Sequence, residues 1–145
     1  MFHHWVCCYC GQNSDGFDHV IPWSYSRNKN ESKNYKRSEV VPCCRQCNSV
    51  LRNHAMHTIA DRAGYLYYRY NQKWRKILQN PHWEKSELNK LEGNLKQYVR
   101  LKKTEQNICK IRIDHLRQVM TLDWLTPSGF WDIAEGDKSL EDRKI

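Results

Sequence analysis

The sequence has no apolar run of 18 residues, no N-terminal stretch that joins a basic start to a sufficient apolar run, and no internal repeat. The first absence argues against a membrane-spanning helix and the second against a secretory signal. The expected setting is therefore intracellular, with no membrane partner. Acidic side chains are also scarce: 16 Asp and Glu face 24 Lys and Arg, a net charge of +8. Such an excess favours an anionic partner, nucleic acid before a membrane surface. What the chain does have is 145 residues, 39% of them hydrophobic and 12% aromatic. That is enough for one folded domain, or for a small module with a helical extension, and it excludes disorder throughout.

Seven cysteines are too many for chance and odd in number, and a reducing compartment disfavours disulfides. Six fall in two groups, Cys7, Cys8, Cys10 and Cys43, Cys44, Cys47, while Cys109 stands apart and is expected to pack as a small hydrophobe. Each CxxC turn puts two thiolates on one side of a tight bend, and two such turns complete a tetrahedron around zinc. Two residues between ligands select Cys7/Cys10 and Cys44/Cys47, leaving Cys8 and Cys43 as buried thiols. A redox CxxC or an iron–sulfur cluster lacks its usual sequence context. The first 50 residues carry too few apolar side chains to fold unaided. A structural Zn2+ supplies the missing free energy, about 10–16 kcal/mol in small zinc peptides.

The chain divides into residues 1–57, rich in cysteine and turn signals, a helical extension over 58–125, and a tail over 126–145. Ile59, Ala63, Leu66, Tyr70, Trp74 and Ile77 recur at helical spacing, and Asn80-Pro81 stops that helix. A second helix is expected from Ser86, with Leu88, Leu91, Leu95 and Tyr98 or Val99 inward, and with Gly93 weakening it. A third carries Ile108, Ile111, His115 or Leu116, and Val119. The tail reads as a turn at "TPSG", an apolar clasp at Phe130-Trp131 and a frayed end. Ahead of these, "SEVVP" reads as a short strand and "NSVLRNHAMH" as a helix. A zinc ion held by both knuckles closes residues 11–43 into a loop that contains Asp18-His19 and ends beside Asn48.

In that order, between two knuckles, "DHVIPWS" and "EVVPCCRQCN" resemble the HNH endonuclease family over residues 5–54. The downstream "RAGYLYYRYNQKW" and "NPHW" are more loosely similar to the tails of small phage-type HNH proteins. The resemblance implies an α+β fold, a zinc-stabilised ββα-metal motif followed by about three helices. It also implies divalent-metal-dependent hydrolysis of DNA phosphodiesters in the cytoplasm of a bacterial or phage-infected cell. His19 matches the general base, and an imidazole of ordinary pKa near 6.5 suits that task. Asp18 and Asn48 match ligands of a catalytic ion, and two protein oxygens with waters and a phosphate oxygen suit Mg2+ or Mn2+. Asn48 at the head of a helix also fits an N-cap. Side chains alternate along a strand, so for Asp18 and His19 to serve one site a bend before Pro22 is expected.

Glu39 takes the place where the family usually has an Asn that braces the backbone around the base, with Asn34 as a substitute donor. Arg52 stands where some relatives carry a third ligand; on a continued helix it shares a face with Asn48 and suits a phosphate. His54 and His57 lie off that face and are expected to pack or face solvent. Phosphate contacts are expected from Arg27, Lys29, Lys33, Lys36 and Arg37, with Arg45 and Arg52 near the site. Tyr65, Tyr67, Tyr68, Tyr70 and Trp74 are expected in the core rather than stacked on bases. A single site makes one nick, so a double-strand cut needs a homodimer or two visits. The competing expectation is an inactive zinc module that binds DNA or a protein partner, and the helices also suit docking on a phage packaging or replication protein.

Overall fold

A computed structural model describes residues 2–21, 37–52 and 54–141. Arg27, Lys29, Lys33, Lys36 and Asn34 lie outside the described residues; the chain does bend before Pro22, at Val20-Ile21, but only after a regular strand has carried Asp18 and His19 to opposite faces. Among the described residues no helix is long and apolar enough to cross a membrane. The architecture of the described residues is mixed α+β, a two-stranded sheet and six helices.

The N-terminal knuckle is a turn in which Cys7 N–H donates to the Gln12 carbonyl at 2.7 Å and Gly11 N–H to the Cys7 carbonyl at 3.1 Å. Gly11 has φ +77°, a conformation that glycine adopts without penalty. Strand β1 (Gly16–His19) pairs antiparallel with β2 (Val40–Cys43) in the register Asp18↔Val41, His19↔Val40. The expected strand at "SEVVP" is thus present. Helix α1 (Arg45–Leu51) begins at the second knuckle. It is shorter than expected, because it ends at Arg52, a non-glycine residue with φ +41°.

Helices α2 (Ile59–Lys73) and α3 (Arg75–Leu78) carry the run of apolar residues that begins at Ile59. The path breaks at Trp74, whose ψ of 13° leaves the helical range, and Asn80-Pro81 follows the end. Ile59, Ala63, Leu66, Tyr70 and Trp74 are buried, as their spacing requires. Helix α4 (Lys85–Lys90) is short, closed at its start by reciprocal Glu84 and Glu87 capping. Helix α5 (Gly93–Val119) then runs for 27 residues. The second and third expected helices are therefore cut differently. The break falls at Leu91-Glu92, before Gly93 (φ +62°), and no break separates Tyr98 from Ile108. Leu88, Val99, Leu116 and Val119 are buried as read, but Leu95, Tyr98, Ile108 and Ile111 are exposed. The inward face of α5 is instead set by Gln106, Cys109, Arg112 and Ile113. Two of those four are polar, which hid the stripe.

The tail is a helix rather than a turn: α6 (Pro127–Glu141) starts with proline at its first position, and Thr126 Oγ1 accepts from Gly129 N–H at 3.0 Å. The clasp at Phe130-Trp131 is present. Both are buried, and Trp131 Nε1–H donates to the Val40 carbonyl at 2.9 Å, tying α6 to β2. One hydrophobic cluster runs from Phe2 and the knuckle cysteines through α2 and α5 to Ala134, with Cys109 inside it.

Candidate metal centre and the Asp18–His19 region

The sulfurs of Cys7, Cys10, Cys44 and Cys47 are buried and lie within 4.8 Å of one another. Cys10 and Cys44, one from each knuckle, have sulfurs 3.7 Å apart. Four sulfurs at about 2.3 Å from a zinc ion stand about 3.8 Å from each other, so the donors and spacing fit such an ion. The four sulfurs can hold a metal ion. Cys8 and Cys43 are buried beside them and outside the cluster, as read.

Local structure sets this geometry. Cys44 caps α1: its sulfur accepts the Cys47 N–H at 3.4 Å, which bends the chain enough to aim both side chains one way. Cys8 N–H donates to the Pro42 carbonyl at 2.9 Å, locking the first knuckle to β2. Hydrogen bonds with Cys10, Cys47 and Cys7 hold the Cys44 thiol down, while the same kind of contact, with Cys10 and Cys44 first, pushes Cys47 up. Four such sulfurs become ligands by losing their protons.

Two helices supply a second layer. Tyr70 of α2 donates its hydroxyl to the Cys47 sulfur at 3.2 Å. Arg112 of α5 places Nη2 4.0 Å from both the Cys44 and Cys47 sulfurs and bonds Gln46 Oε1 through Nη1. Its guanidinium lies 4.9 Å and 5.1 Å from the Trp74 and Tyr70 ring centres, which stack on each other. Burial is the largest single influence and opposes the Arg112 charge, but Cys10, Tyr70 and Cys47 together outweigh it and the group stays cationic. A four-thiolate zinc centre carries two net negative charges, so a buried cation beside it offsets part of the cost of desolvation. His115 of α5 completes the frame. Its Nδ1 sits 2.8 Å from the Tyr9 carbonyl, which can only accept, so Nδ1 carries the proton.

Asp18 lies on the Val41 face of the hairpin and is buried, 3% exposed. Its Oδ1 accepts from Arg62 Nη2 at 2.6 Å; its Oδ2 accepts from Arg62 Nε at 2.7 Å and from the Tyr9 hydroxyl at 2.6 Å. Burial, then the Asp18 charge, pushes the Tyr9 hydroxyl well up, so it remains a donor. Arg62 Nη1 also donates to the Met56 carbonyl at 2.9 Å and to the His54 carbonyl at 3.5 Å. Three of the four lone-pair sites of the carboxylate are thus occupied.

His19 is half-buried on the opposite face, with Phe17, whose ring lies 6.3 Å from that of Trp131. β1 stays regular through His19, and Val20 N–H continues the pairing to the Glu39 carbonyl at 2.9 Å. Glu39 is buried and reaches this stretch through its backbone. Asn48 is exposed in the middle of α1, and its Nδ2 donates to the Phe17 carbonyl at 3.2 Å. The N-cap is Cys44, so Asn48 does not fill that role.

Arg52 lies past the end of α1 with its Nε on the Ser49 carbonyl, so the shared helical face with Asn48 does not form. Arg45 is exposed at the first position of α1. Arg37 pairs with Glu135 of α6 in an exposed ion pair and lies 5.3 Å from the Trp131 ring. His54 packs on Tyr65, as a packing residue would. Sequence reading passed over Tyr9, Arg62 and Arg112. Arg62 follows Ile59 by three residues and Arg112 follows Cys109 by three, so each cation sits in an apolar stripe. A charge on a buried face was the available signal.

No protein-family model, no curated protein and no solved structure matches this chain.

Proposed function

We propose that this chain is an HNH-type endonuclease in which Zn2+ on Cys7, Cys10, Cys44 and Cys47 pins a ββα-metal unit. The observation that carries the reading is the Asn48 hydrogen bond to β1 one residue before Asp18. The helix that begins at the second knuckle thereby meets the Asp-His pair that follows the first. His19 takes the proton of the attacking water. In an in-line displacement the attacking and leaving oxygens lie on opposite sides of phosphorus. Asp18 and His19 point to opposite faces of a regular strand, so their joint action at one phosphate requires the strand end to turn when substrate binds. The fourth lone-pair site of Asp18, on Oδ1, and the amide oxygen of Asn48 would be the protein ligands for Mg2+ or Mn2+, and such an ion would supply Lewis-acid stabilisation of the leaving oxygen. The substrate is DNA, met through its phosphates, and Arg45 at the start of α1 stands nearest the second knuckle.

A second reading is favoured by a specific observation. Arg62 already neutralises Asp18 inside the protein, and a divalent ion there meets a fixed cation. A zinc module that binds nucleic acid without cutting needs no ion at that place. Supercoiled-plasmid nicking in Mg2+ or Mn2+ separates the two. The zinc-loaded wild type is expected to produce relaxed circles and His19→Ala is not. Equal nicking by both removes the enzyme. Salt-sensitive binding with no nicking establishes the second reading.

A further inference from the structure

Between the end of α3 and the first half of α5 lies a cleft of about 280 Å3, whose walls include Trp83, Tyr98, Lys76, Lys102, Lys103 and Gln106 and no acidic residue. We propose that this cleft holds one base of a single-stranded nucleic acid between its aromatic walls, with the flanking phosphates on its lysines. The proposal rests on the nucleic-acid side of the functional reading and not on catalysis.

The cleft is built in advance. Gln106 is buried, and its Nε2 reaches the carbonyls of Asn80 (2.9 Å), Ile77 (3.2 Å) and Leu78 (3.3 Å), fixing the turn that leaves α3. Lys103 Nζ donates to the Trp83 carbonyl at 3.3 Å, which fixes the segment carrying the indole. Tyr98 is 59% exposed and projects from α5 at the mouth. The Lys102 ammonium lies 5.7 Å from its ring centre. Lys102 also meets Glu105 at 3.4 Å, but an exposed pair at that spacing is weak and leaves the ammonium available to a phosphate.

Two rings and three ammonium groups in a cavity near the lower end of ligand-site volumes select a flat ligand flanked by negative charge. A base with its neighbouring phosphates has that form. An acidic peptide satisfies the lysines but offers no flat face to the rings.

The test uses the zinc-loaded full chain and a fluorescein-labelled oligodeoxythymidine of about 12 nucleotides, read by anisotropy. Trp83→Ala is expected to weaken binding about 10-fold, and Trp83→Phe to restore it, since a phenyl ring still stacks. Lys76→Ala with Lys102→Ala is expected to lower the slope of log affinity against log salt by about 0.7 for each lysine lost. Lys90→Ala with Lys110→Ala, on exposed lysines outside the cleft, serves as control. Equal effects of the two lysine pairs overturn the proposal, because the oligonucleotide then feels only net charge. Polyglutamate displacing the oligonucleotide as well as unlabelled oligonucleotide does also overturns it. Nicking with unchanged oligonucleotide affinity in Trp83→Ala overturns the cleft alone; cleft-dependent binding without nicking overturns catalysis alone.

Discussion

Asp18 is the residue at which structure and chemistry compete. Its burial under α2 is tolerable only because Arg62 meets it on two atoms and Tyr9 on a third. Removing one partner of a buried pair strands the other charge, at a cost of about 3–5 kcal/mol, whereas replacing both by apolar groups is often neutral. Arg62→Met is therefore expected to lower the urea-unfolding free energy by about that amount, and Asp18→Leu added to it to recover most of the loss. An Arg62→Met protein as stable as wild type contradicts the pairing. Asp18 stood out in the sequence because the motif around it is local, but as an ion ligand and not as the partner of Arg62. That partner did not stand out, because 44 residues separate them and no short pattern encodes which buried cation meets which buried anion. The same holds for Arg112, whose sulfur contacts are 65 and 68 residues away.

At the scale of elements, the existence of the helices ahead of residue 126 was readable and their boundaries were less so, while α6 was missed behind the turn signal at "TPSG". The α2 stripe is continuous in apolar character and was plain. The α5 stripe is interrupted by Gln106 and Arg112, which are buried because they bind carbonyls and sulfurs, and the apolar Ile108 and Ile111 beside them mislead the eye. Two glycines separate backbone demand from packing demand. Gly93 has φ +62° and open space where a Cβ would stand. Gly11 has φ +77°, and a Cβ there would stand 2.9 Å from the His115 ring. Gly93→Ala is expected to cost about 1–2 kcal/mol, the left-handed penalty alone. Gly11→Ala is expected to cost more, since His115 must also leave the Tyr9 carbonyl, and its thermal unfolding should fall further. Equal costs would mean that the His115 contact contributes nothing.

For the whole molecule, the knuckles sit inside the main core rather than at its edge. The cysteines, α2, α5 and α6 share one cluster, so the sulfur centre supports the helices as well as the hairpin. The spacing of the cysteines announced that centre from the sequence alone. That α5 reaches back to it through Arg112, and to the first knuckle through His115, follows only from three-dimensional packing. Zinc X-ray absorption on the purified, zinc-loaded chain tests the centre directly. Four sulfur neighbours at about 2.3 Å and no nitrogen or oxygen in the same shell are expected. A shell with fewer than four sulfurs, or with imidazole in it, contradicts the clamp on which the hairpin, the helices and the proposed chemistry all depend.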